Sequence, residues 1–176
     1  MLLPLLVASS FLVAAAYNSA DGVVSGTHLH FYMHDDYGGT HPTATRVVAG
    51  RSLVRPLDAS IASSPRQFGG IVVFSNALTA GPGRDSPRVG TAQGHGVRVA
   101  ERGTVTDLSM HLVMHDGSGS VDVKGRIDME AKVRESTVVG GAGRFRLARG
   151  YVLTRNYGYY ELGKGGTVEI DVYLLP

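Results

Sequence analysis

Hydrophobic and polar positions alternate along most of this chain with period two. From Thr27 to Asp35, Leu29, Phe31, Met33 and Asp35 share one face, and His28, His30, Tyr32 and His34 share the other. From Thr104 to His115, Leu108, Met110, Leu112 and Met114 fall on one side. Ser120 to Arg134 is the clearest case, with Val121, Val123, Ile127, Met129 and Val133 against Asp122, Lys124, Arg126, Asp128, Glu130 and Arg134. Such alternation predicts half-buried β-strands. Further strands are expected at Thr45–Gly50, Phe68–Ser75 (a continuous apolar run), Val89–Val99 and Gly166–Leu174. Val138–Tyr151 reads as a hairpin, with a turn at Gly140, Gly141 and Gly143 and a second strand placing Phe145, Leu147 and Tyr151 on one side. Arg51 to Gln67, with Pro56 and Pro65, reads as a long surface loop. Eight or nine strands and no amphipathic helix predict an antiparallel barrel or sandwich. The glycines Gly90, Gly94 and Gly96 supply the bends that favour closure into a barrel.

Composition narrows the class. The 176 residues suit one domain, 24 glycines suit a turn-rich all-β protein, and there is no cysteine. Basic and acidic residues nearly balance at 17 and 15, with no basic run interleaved with aromatics, so a nucleic-acid partner is not expected. Residues 1–16 are apolar and end on Ala14 and Ala16, the pattern of a secretion signal and too short for a membrane span. The polar residues 17–26 then read as a flexible leader, and 27–176 as the barrel domain.

Candidate chemistry is sparse. There is no Gly-x-Ser-x-Gly, no phosphate-binding loop and no thiol, so covalent catalysis is not expected. His28-x-His30 has metal-ligand spacing, but a solvated histidine face is the plainer reading, and no metal is expected. Asp35 is different, because it extends an apolar face. A carboxylate at the mouth of a cavity is desolvated, which favours a proton-donating form, and it then needs a partner. Arg134, Arg144, Arg146 and Arg149 are the candidates, with Arg144 and Arg146 expected to face outward.

Several blocks, in order, resemble the plant dirigent family. They are Phe31-Tyr-Met-His-Asp35, Phe68-Gly-Gly-Ile-Val-Val-Phe74 with Leu78-Thr-Ala-Gly-Pro82, Val89-Gly-Thr-Ala-Gln-Gly94, Ser120–Arg126, Arg134-Glu135, Val138–Tyr151 and Val168–Tyr173. The resemblance spans about residues 28–174 and implies an eight-stranded antiparallel barrel, secreted to the apoplast and homo-oligomeric, as a dimer or trimer. It implies no cofactor. An external laccase or peroxidase makes phenoxy radicals, for example from coniferyl alcohol, and the cavity orients two of them so that they couple stereoselectively to a lignan. Related members use a cavity acid to cyclise a quinone methide. A non-catalytic cell-wall defence role is a third expectation.

Carried over by position, Asp35 and Arg134 match family motif residues and are the expected catalytic pair. Phe31 and Met33 on the Asp35 face, together with Gly96 and Ile127, are the expected substrate contacts. Gly96 stands where the family has a tyrosine, and Ile127 stands where it has an acid or amide, with Asp128 on the opposite face. Ser75 and Asn76 replace acidic residues. The cavity is therefore expected to be more apolar, and wider near Gly96.

Overall fold

The computed structural model describes residues 13–19, 22–51, 67–101, 103–161 and 164–175. These form ten strands: β1 (Val13–Ser19), β2 (Gly22–Asp36), β3 (Ala44–Val48), β4 (Ile71–Thr79), β5 (Arg88–Arg98), β6 (Val105–Met114), β7 (Gly119–Asp128), β8 (Arg134–Gly143), β9 (Gly150–Glu161) and β10 (Gly165–Leu174). From β4 to β10 each strand pairs antiparallel with the next. β2 pairs with β10 along Thr27–Asp36 and, through Tyr32–His34, with Thr79–Ala77 of β4. That last pairing closes an eight-stranded antiparallel barrel, as the alternation and the glycine-rich strand predict. Closure matters energetically because it removes the unpaired edges an open sheet would expose.

The closing seam is only three residue pairs long, and two short strands complete its edges. β1 pairs with Gly22–His28 of β2, and β3 with Ile71–Phe74 of β4. Residues 17–19 and 22–26 are therefore strand, not the loose leader that their small polar side chains suggested. Ladder hydrogen bonds come from the backbone, so an apolar side-chain pattern is not required for pairing. The short strand expected near Thr45 is present, but it lies outside the closed ring. Residues 1–12 of the apolar first segment and residues 52–66 of the expected long loop lie outside the described residues.

One hairpin differs from its sequence reading. Gly140, Gly141 and Gly143 belong to β8, and the turn is Arg144–Leu147, one step later. A Cβ on Gly141 would come within 2.4 Å of Ser120 O and 2.6 Å of Phe145 O, so Gly141 serves close chain approach, while Gly143, with φ of 61°, leads into the reversal. Leu147 does not share a strand face with Phe145. It is the left-handed residue of the turn, with φ of 63°, and is 79% exposed, while Phe145 folds into the core.

Inward positions obey the period of two. Leu29, Leu78, Leu112, Val121, Val138, Val152 and Val172 fill one half of the barrel and are almost wholly inaccessible. β5 contributes its small face here. A Cβ on Gly94 would sit 2.1 Å from Ser109 O, so only glycine lets β5 and β6 approach this closely where the wall bends. The other half of the interior is not filled.

Candidate functional site

The unfilled half is a pocket with about 850 Å³ of empty space, part of it open to solvent at the mouth. Its walls are apolar: Met33, Val72, Phe74, Leu108, Met110, Ile127 and Ile170. Against them stand a few polar groups from different strands: Asp35 (β2), Asn76 (β4), Arg98 (β5), Arg134 (β8), Thr154 and Tyr160 (β9), with Arg46 and Tyr37 beside them.

Asp35 is the centre of this polar set and is only 5% exposed. Tyr160 donates its hydroxyl to Asp35 Oδ2 at 2.5 Å, and Asn76 Nδ2 donates to Oδ1 at 3.2 Å. The inward parity of β2 carries Asp35 into the pocket, while a turn bond set up by its neighbour fixes the strand end. Asp36 points outward, accepts from the backbone N–H of Gly38 and Gly39, and is held below the usual carboxylate range by those two bonds first. Asn76 keeps its Oδ1 buried without a hydrogen-bond partner. A buried carbonyl oxygen in that state is an acceptor poised for a donor on a bound molecule.

Arg134 enters from the start of β8. Its Nε donates to Thr154 Oγ1 at 3.4 Å and its Nη2 to Asn156 Oδ1 at 2.8 Å, so two groups of β9 aim the guanidinium. Arg98, 3% exposed, brings a second buried cation to the same pocket from the far wall. Cations in an apolar, water-poor cavity stabilise an oxyanion far better than they would at the surface.

Of the residues singled out in the sequence, Asp35, Arg134, Met33, Gly96 and Ile127 do line this pocket. Phe31 does not. It shares their parity, but it sits deeper along β2 and packs in the filled half with the core aliphatics. Arg144 and Arg146 are exposed in the turn, and Arg149 donates to Val139 O and Ala148 O on the outside, so none of these serves Asp35. Asp128 faces away from the pocket and accepts from Thr104 Oγ1 and the Glu130 N–H. At Gly96 a Cβ would stand 2.8 Å from Thr106 Cγ2, so the Thr106 methyl already occupies the space beside Gly96, and the expected widening there needs correction.

The expectation of an apolar cavity needs correction. Tyr160, Arg98 and Arg46 were not identified from the sequence, and Asn76 keeps a polar contact with Asp35. A signal was present for two of them. Arg98 lies two residues after Gly96 and shares its face, and Tyr160 keeps the even-numbered inward parity of Val152 and Thr154. The irregularity that obscures Tyr160 is the register shift opposite Gly166/Thr167, where Tyr157 pairs with Thr167 and Tyr160 with Gly166.

The outer wall differs from its reading too. His34 is not a surface histidine, being 3% exposed between Thr79 Oγ1 at 2.8 Å and Thr167 Oγ1 at 3.3 Å. Burial holds its imidazole below the ordinary histidine value, and the Arg84 cation acts in the same direction. His28 and His30 converge on Asp171 of β10.

These features define an antiparallel barrel with a pocket at one end that holds an acid–tyrosine pair and buried cations. The chain belongs to the family described as "Dirigent-like protein", whose family model matches residues 26–175. It is 36% identical over 151 residues to Dirigent protein 1 of Arabidopsis thaliana, covering 84% of this chain and 78% of that one. It is 33% identical over 175 residues to Pterocarpan synthase 1 of Glycine max, covering 94% of this chain and 90% of the relative. Among solved structures, the pterocarpan synthase dirigent protein PsPTS1 superposes with a TM-score of 0.71 at 31% identity, over 86% of this chain and 95% of that chain.

Proposed function

We propose that this barrel binds an oxidised phenolic delivered by another protein and steers its bond formation, foremost by closing a ring on a quinone methide. The observation that carries this reading is the Asp35 carboxylate, buried inside the pocket and held by Tyr160 and Asn76. In such a closure a hydroxyl of the substrate attacks the methide carbon and a C–O bond forms. The methide π bond breaks, and its electrons move to the quinone oxygen, which becomes a phenolate. Asp35 takes the proton of the attacking hydroxyl. Arg134 and Arg98 stabilise the phenolate, which then receives a proton, so the net change is an isomerisation with no oxidant consumed. Similarity to proteins named pterocarpan synthases supports this reading.

A second reading is favoured by the apolar walls of the pocket, which suit stacked aromatic rings. Two phenoxy radicals, such as those of coniferyl alcohol made by an external laccase or peroxidase, would be held face to face and couple stereoselectively to a lignan. Here the pocket contributes only orientation. In both readings the apolar first 16 residues direct the chain to the apoplast, where a homo-oligomer meets its phenolic substrate.

The test runs two reactions on the full-length chain: cyclisation of a chemically generated quinone methide, and laccase-driven coupling of coniferyl alcohol, each resolved by chiral chromatography. Faster, enantioselective closure that Asp35→Asn abolishes supports the first reading. Enantioselective coupling that survives Asp35→Asn supports the second. Rates and racemic products unchanged by the protein in both reactions overturn both readings and leave a binding-only defence protein.

A further inference from the structure

The outer wall of the barrel carries a second constellation, unconnected with the pocket. His28 and His30 are two residues apart on β2, so their imidazoles share the outer face. The β2–β10 register sets His30 opposite Asp171 and His28 opposite Tyr173. His28 Nε2 lies 2.9 Å and His30 Nδ1 2.7 Å from the same oxygen, Asp171 Oδ1. One nitrogen from each imidazole and one carboxylate oxygen thus lie within 4.8 Å of one another.

We propose that His28, His30 and Asp171 form a zinc(II) site that staples β2 to β10 on the outside of the barrel. Two imidazole nitrogens and a carboxylate oxygen are a donor set that zinc accepts with bonds of about 2.0–2.2 Å, leaving a fourth position for water. Tetrahedral bonds of that length set neighbouring donor atoms about 3.3 Å apart, so the two nitrogen–oxygen spacings would widen slightly while the nitrogens, within 4.8 Å of each other, would adjust by side-chain rotation. A neutral imidazole keeps its single proton by carrying it on the other ring nitrogen, and the ligating nitrogen then offers its lone pair.

The surroundings have the form of a supporting shell. The second nitrogen of His30, Nε2, faces Glu169 Oε1 at 3.7 Å, and the second oxygen of Asp171, Oδ2, receives Arg155 Nη2 at 3.3 Å. Arg155 closes the loop through two bonds to Glu169, Nε to Oε2 at 2.6 Å and Nη2 to Oε1 at 3.0 Å. Carboxylates on the non-ligating atoms of histidine ligands fix ring orientation and raise basicity. The rings are also held by packing, His28 stacked on Tyr173 at 4.6 Å between centroids and His30 edge-on to Tyr32 at 5.0 Å. Charge agrees: two carboxylates against one guanidinium leave the cluster negative when both imidazoles are neutral. Asp171 is only 7% exposed although it lies on the outer face, and the guanidinium beside it is shared with Glu169.

Titration calorimetry of the metal-free, full-length chain with zinc sulfate tests this. Saturable uptake of one ion per chain is expected, with a higher melting temperature, and His28→Gln and His30→Gln should each weaken it by about tenfold or more. Absence of saturable binding overturns the proposal, and so does binding that both variants retain, which would place the ion on another histidine. Circular dichroism checks that the variants fold. Should they not, cobalt(II) added to the unsubstituted chain decides. Visible d–d bands of a four-coordinate nitrogen–oxygen site, displaced by zinc, support the site, and their absence overturns it.

Discussion

The two halves of the barrel interior are built on the same eight strands and the same inward parity, yet they do opposite things. In the filled half, β2, β4, β6, β7, β8, β9 and β10 each contribute a leucine or valine, and these aliphatics interlock with almost no exposure. In the other half the inward faces of β2, β4, β5, β8 and β9 present Asp35, Asn76, Arg98, Arg134 and Thr154, and space is left between them. The first half supplies hydrophobic stabilisation, which scales with apolar area removed from water. The second gives up part of that area to hold charge where water is scarce. A rigid, filled half is what allows the hollow half to keep its shape with no ligand-sized side chain inside it.

That contrast can be broken from either side. The largest effect is expected on turnover in the hollow half. Asp35→Asn keeps the side-chain shape but removes the proton acceptor, and should lower ring-closure rate by about 10²–10⁴-fold with the melting temperature nearly kept. Tyr160→Phe, which deletes the 2.5 Å bond to Asp35, should cost less. Single-turnover kinetics beside calorimetric melting would expose any variant whose loss is merely unfolding.

In the filled half the effect should move from rate to stability. Leu112→Ala removes a side chain with no exposed surface and should destabilise by about 2–5 kcal/mol, read from urea midpoints. Met33→Ala, already beside empty space, should cost clearly less. Equal losses at the two positions would mean that the halves are not different in packing.

Gly96 tests the boundary. Gly96→Ala places a methyl 2.8 Å from Thr106 Cγ2 and narrows the pocket wall. It should weaken binding of a bulky phenolic several-fold while stability changes by about 1 kcal/mol or less. Fluorescence titration with the phenolic measures it, and unchanged affinity would place the ligand elsewhere in the pocket.

The smallest effect is a pH dependence on the outer skin of the hollow half. Burial depresses the folded value of His34 below the ordinary 6.5, so its neutral form is favoured by the fold. Stability from this group is complete above pH 6.5 and is lost as pH falls through the folded value. Urea midpoints should be level from about pH 8 to 7 and decline towards about pH 5, and His34→Gln should flatten the decline. A midpoint that rises on acidification would contradict the assignment.

How much of this was legible in the sequence differs by residue. Strand identity and face were legible for β2 and β6, because alternation is a local property of the chain, whereas the Ser120–Arg134 run divides into β7, ending at Asp128, and the start of β8 at the buried Arg134. Asp35 was legible for the same reason, as a carboxylate on an apolar face. Phe31 shows where local parity stops. It shares a face with Asp35, but its depth along the barrel is set by the stagger between strands. In β8 the sequence does not separate Gly143, whose positive φ leads into the turn, from Gly141, which permits a close approach, because composition does not distinguish the two. Tyr160 keeps the inward parity but lies beyond a bulge, which shifts its position along the barrel relative to β10.

The sequence by itself determined an all-β chain, its inward and outward faces, and an acid aimed at the interior, since these follow from the pleat of single strands. Only the tertiary structure decided which half stays hollow, and that Asp35 meets Tyr160 and Asn76, 125 and 41 residues away along the chain. It also decided that His28 and His30 meet Asp171. The physical reason is that register and closure are collective. They are set by the pairing of all eight strands at once, so no single segment carries them.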